Sequence, residues 1–158
     1  MTSRRETLMR TIQGRLEAII GDDTYYLCHL LRSVQRWVHS WYGQEHLVNM
    51  FGELPTIIVR AQEPMIVSET VDLWLRNISI DIGIFLESPS DDSDVCAALA
   101  DVERALFVGD TDGFGVGFRN WKLSNQTVDP ENGMPLDGIH VTLSGEYQEQ
   151  IGAPGSGE

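Results

Sequence analysis

Ile78-Ser79-Ile80-Asp81-Ile82-Gly83-Ile84-Phe85-Leu86 is the stretch that decides the fold class. Aliphatic residues occupy every even position from 78 to 86, and Ser79, Asp81, Gly83 and Phe85 lie between them. A period of two places all the aliphatic side chains on one face of a β-strand, and β-branched isoleucine suits the pleated surface. A strand with one apolar face needs a cover on that face. The elements on either side of it should therefore include helices.

Just upstream, Val71, Leu73 and Leu75 alternate with Asp72, Trp74 and Arg76, in the opposite phase. The parity flips at Arg76-Asn77. A bulge, or a tight turn between two strands, would produce that flip. By this reading Trp74 lies opposite Leu73 and Leu75, as Phe85 lies opposite Ile84. If helices cover one face, Trp74 and Phe85 need a second cover, supplied either by the chain itself or by a neighbouring subunit.

Further out, residues 4–20 predict an amphipathic helix. Leu8, Ile12, Leu16, Ile19 and Ile20 keep helical spacing, Ser3 and Glu6 have the spacing of a capping box, and Gly21-Asp22-Asp23 ends the run. A second helix is predicted from about 93 to 107, with Val95, Ala98, Leu99, Val102 and Leu106 as its apolar stripe and acids in its first turn. Thr56-Ile57-Ile58-Val59, following Pro55, reads as a strand covered on both faces. Two late strands are expected near 117–128 and 138–148, joined by the turn chemistry of Asp129-Pro130-Glu131-Asn132-Gly133. Residues 25–42 fit a helix by the spacing of Leu27, Leu31, Val34, Val38 and Trp41. They also fit a strand near 30–38 by their β-forming content. The order predicts an α+β domain over residues 1–150: a mainly antiparallel sheet with two or three helices on one face and a long β-hairpin near the C-terminus. Residues 151–158 read as a disordered tail.

Composition narrows the function. Hydrophobic residues at 42% and charged residues at 22% are ordinary globular values. The net charge is −13 and unevenly placed. Residues 1–60 carry 7 Lys/Arg against 6 Asp/Glu, whereas residues 61–158 carry 4 against 18. Such an acidic half repels a nucleic-acid backbone. No apolar run approaches the ~18 residues of a membrane span, and no signal-peptide pattern follows the early arginines, so a soluble protein without membrane partners is expected. Cys28 and Cys96 each sit in an apolar run and read as small buried hydrophobes.

His29, His39, His46 and His140 are scattered, without the spacing of a zinc site. No G-x-S-x-G turn presents a nucleophile, and no G-K-[ST] makes a P-loop. Gly113-Phe114-Gly115-Val116-Gly117 follows a helix instead of opening one, so it reads as a flexible turn. Asp110, Asp112 and Gly113 suggest a calcium loop, but Trp121 stands where an EF-hand needs Glu. No catalytic residue, metal site or cofactor is expected, and the chain is expected not to be an enzyme; the alternative of a different class is a small metal-dependent enzyme using the Asp-rich loops.

Several segments together resemble a known family. They are the opening helix Glu6–Ile20, Glu53-Leu54-Pro55-Thr56-Ile57-Ile58-Val59-Arg60, the strand Ile78–Leu86, and the helix ending Asp101-Val102-Glu103-Arg104-Ala105-Leu106. The last is Trp121-Lys122-Leu123 leading to His140-Val141-Thr142-Leu143-Ser144-Gly145-Glu146-Tyr147. In order and spacing the chain resembles the tail terminator proteins of long-tailed phages, the lambda-type family of small α+β ring formers. The segment 25–52, with Trp37, Trp41 and Tyr42, departs from that pattern. The resemblance implies a structural virion protein, assembled in the host cytoplasm as a hexameric ring at the head-proximal end of the tail tube. Such a ring stops tube polymerisation and joins tail to head; the alternative is another neck, connector or tube component. The implied partners are further copies of the chain, the tail tube protein and head–tail connector proteins, with genomic DNA passing the lumen without specific binding. Candidate interface residues are Trp74 and Phe85, the basic helix residues Arg4, Arg5 and Arg10, and Asp129, Glu131 and Asn132 at the hairpin tip.

Overall fold

A computed structural model of the chain describes residues 3–21, 33–36, 56–62, 64–69, 72–87, 92–107, 113–128 and 136–150. Its elements, in chain order, are α1 (Arg4–Glu17), β1 (Ser33–Arg36), β2 (Thr56–Ala61), β3 (Met65–Glu69), β4 (Leu73–Glu87), α2 (Asp92–Phe107), β5 (Arg119–Val128) and β6 (Leu136–Gln150). They form the expected α+β fold around a six-stranded sheet of order β1-β2-β4-β6-β5, with β3 also paired to β4. All pairings are antiparallel except that of β1 with β2. The described part of the uncertain segment 25–42 is strand, beside β2, where Ser33 Oγ and Thr56 Oγ1 lie 2.6 Å apart.

The even residues of β4 form the floor of the core. Ile78, Ile80, Ile82, Ile84 and Leu86 are buried, and Val141 and Leu143 of β6 lie on the same face. The helices close over them with Leu8, Met9, Ile12 and Leu16 of α1 and Ala98, Val102, Ala105 and Leu106 of α2. Each buried Ile, Leu, Val or Met among them contributes about 1.5–3 kcal/mol. Ser3 caps α1 as expected, its Oγ accepting the Glu6 N–H at 3.1 Å, and Gly21 follows the helix at a φ of +76°. Residues Thr56–Val59 of β2 are all buried, which fits a strand covered on both faces.

Three expectations are corrected. First, β4 is continuous. Its register with β6 runs unbroken from Leu73↔Gln150 to Glu87↔Leu136, with neither bulge nor turn at Arg76-Asn77. The irregularity lies instead in its partner β3, between Ile66 and Ser68. Second, Gly113–Gly117 is a packed turn. The Phe118 N–H donates to the Gly113 carbonyl at 2.8 Å, and Phe114 and Val116 are buried beneath α1. Gly113 is required there: its φ is +61°, and a Cβ would lie 2.6 Å from the Phe118 nitrogen. Third, Cys96 is exposed on α2, because the helix's buried stripe runs through Ala98, Val102 and Leu106. Cys28, Asp110 and Asp112, the hairpin tip 129–133 and the tail 151–158 lie outside the described residues.

Candidate interface surfaces

An unbroken β4 changes the position of the two strand aromatics. Trp74 is on an even position and shares the core face with Ile78 and Ile80, whereas Phe85 is on the odd face. They therefore do not form one patch on the second face, as the parity flip suggested. Phe85 has a place of its own: its ring lies over Gly83, 3.0 Å from where a Cβ would stand. Trp74 belongs to a polar cluster at the end of the core. The Arg76 guanidinium lies 4.8 Å from the Trp74 ring centroid and pairs with Glu149 of β6. Glu149 is only 6% exposed, and Tyr147 beside it is buried. Burial, reinforced by the Glu149 charge and opposed by Arg76 and Arg5, pushes the Tyr147 phenol up to about 12.

The basic side chains of α1 are largely engaged by the chain itself. Arg4 Nη2 donates to the Val116 carbonyl at 2.6 Å, and Arg15 Nη1 donates to the Leu106 carbonyl at 2.8 Å while lying over the Phe114 ring. Arg10 is exposed and pairs with Glu6 at 3.0 Å. Arg36 of β1 reaches the same carboxylate at 2.6 Å. The Arg36 hydrogen bond holds the Glu6 carboxyl below the usual carboxylate range, with the Arg10 bond assisting and partial burial opposing. Arg5 is half-buried. Asp129, Glu131 and Asn132 lie outside the described residues.

Around Asp81 the second sheet face is polar and half-buried. Asp81 gathers Gln62 Nε2 at 3.1 and 3.2 Å, Thr142 Oγ1 at 3.3 Å and His140 Nε2 at 3.3 Å. Among the described residues, no three His, Cys, Asp or Glu side chains are grouped so as to hold a metal ion. Likewise, no described helix is long and apolar enough to cross a membrane.

Two further surfaces lie at the sheet edges, and the first of them escaped the sequence reading. β3 pairs with β4 on one side only among the described residues, and it exposes three consecutive apolar side chains: Met65 at 71%, Ile66 at 46% and Val67 at 53%. At the opposite edge, β5 carries Trp121, 39% exposed and stacked flat on Phe107 with centroids 4.1 Å apart. Trp121 sits in an irregular stretch of β5, where the register shifts between Arg119 and Lys122 and Asn120 has a φ of +52°. An apolar triplet on a sheet edge is a template for another chain unless something covers it. The available signal was Met65-Ile66-Val67 after Pro64, an apolar run with no alternation to bury it.

Neither the scan against protein-family models nor the search of curated proteins finds a match to this chain.

Proposed function

We propose that the chain is a structural protein of a phage tail, a terminator that closes into a ring on the finished tube, stops its growth and offers the surface that joins tail to head. The observation that carries this reading is a sheet with an exposed apolar feature at each edge, Met65–Val67 on β3 and Trp121 on β5. A subunit with two different sticky edges is suited to head-to-tail contact with copies of itself, and such contacts close into rings when the rotation allows. The order of segments on which the resemblance to tail terminators rests supports the same reading. In it, the tail tube protein and a head–tail connector are the other partners. Asp129, Glu131 and Asn132 reach a neighbour or the tube, exposed Arg10 faces a neighbour's acids, and the acidic surplus lets DNA slide past without sticking.

The test is to add the purified protein to polymerising tail tube protein and image the product by negative stain. A ring at one end of each tube, with shortened tubes, is the expected result. Protein spread along the tube wall would identify a tube component instead, and bare tubes of unchanged length would refute the proposal.

A further inference from the structure

We propose that the outer edge of β3 docks on the Trp121 shoulder of β5 in a second copy of this chain, making one heterologous seam. The proposal rests on the ring reading above and names the surfaces that would make it. Three observations lead to it. The two features lie on opposite sides of the sheet, so each copy can use both at once: β3 lies beyond β4, and β5 lies beyond β6. They also lie at the same level. Met65 pairs with Asn77, Asn77 with Glu146 and Glu146 with Arg119, so one row across the sheet joins the start of β3 to the start of β5. Finally, their directions match. Each step across β3, β4, β6 and β5 is antiparallel, so β3 runs opposite to β5. Copies related by rotation about an axis roughly along the strands would bring β5 of one beside β3 of the next as antiparallel neighbours.

The chemistry of the seam is a flat aromatic against aliphatic side chains. Phe107 covers one face of the Trp121 indole, leaving the ring as a rigid ledge with few rotamers to lose on binding. Ile66 pairs with Arg76 and so lies on the helix-covered face, as Trp121 does; with Val67 in the adjoining bulge it offers the apolar surface to set against the indole. Exposed Arg119 and Lys122 flank the ledge in a chain of net charge −13, so the cationic part of β5 faces an acid-rich neighbour. The irregularity of β5 at Asn120 interrupts plain strand pairing at this level, and contact is made by side chains, with Trp121 as the knob. A two-fold pairing of β3 with β3 would bury the triplet but leave Trp121 uncovered.

Site-directed cross-linking tests the seam. In a background with both Cys28 and Cys96 changed to Ser, Ile66→Cys and Trp121→Cys are prepared singly and together. Both positions are exposed, and circular dichroism checks that each variant folds. Under mild oxidation an equimolar mixture of the two single variants should form a dimer that neither forms alone, with the 66–121 link confirmed by peptide mapping. The double variant should give a ladder ending in one closed species. Self-linking of Ile66→Cys would show a two-fold β3 contact and overturn the proposal. Rings of the expected mass without a 66–121 link would overturn this seam and leave the ring reading standing. A protomer mass in solution and no ring on tail tubes would overturn both.

Discussion

Arg76 stands on the core face of β4, where a lone charge would be costly, and Glu149 answers it from β6. Removing either partner alone leaves the other charge largely buried and without its counter-ion. Glu149→Leu or Arg76→Met should therefore cost about 3 kcal/mol, whereas the double substitution should recover most of that loss. Urea midpoints at unchanged slope measure it, and a double variant as unstable as the two single losses added would contradict it. Tyr147 next to this pair provides a pH test. Its phenol is raised from 10 to about 12, so the folded chain keeps a proton that the unfolded chain has already lost. The contribution is complete below pH 10 and is lost as pH rises to about 12. Tyr147→Phe should remove that alkaline slope in thermal melts. An unchanged slope would assign it to other groups.

The parity flip upstream of Asn77 illustrates what local pattern shows and what it conceals. Alternation revealed β4 because five aliphatic side chains face one core. Toward Leu73 the same face is built from Trp74, Arg76, Tyr147 and Glu149, so the apolar letters change phase while the strand does not. The partner that makes Arg76 tolerable is 73 residues away, beyond any window on the sequence. α1, α2 and β6 were legible because each has its own period, and β5 because the turn chemistry of 129–133 pairs a strand with β6. β3 was not, because an edge strand that buries little need not alternate. The glycines of the central strands offer a contrast to test. A Cβ on Gly145 would lie 2.5 Å from the buried Phe118 ring, whereas one on Gly83 would meet the edge of half-buried Phe85 at 3.0 Å. Gly145→Ala should cost about 1–3 kcal/mol because the buried ring must move. Gly83→Ala should cost less than about 1 kcal/mol because Phe85 can swing outward. Equal losses in urea unfolding would contradict this packing.

At the level of the whole molecule, the apolar side chains exposed on β3 and β5 and the acidic surplus act against each other. Apolar edges favour association, and a charge of −13 on every copy opposes it. Arg4 and Arg15 hold carbonyls of their own chain, and with a net charge of −13 on every copy repulsion is the larger long-range electrostatic effect between copies. Screening weakens it: the Debye length falls from about 30 Å at 0.01 M salt to about 8 Å at 0.15 M. The most direct test of self-assembly is the light-scattering mass of the purified protein across that range of ionic strength. A closed ring predicts a discrete species of six protomers whose share grows as salt rises from 0.01 to 0.15 M. A protomer mass at every ionic strength would contradict it.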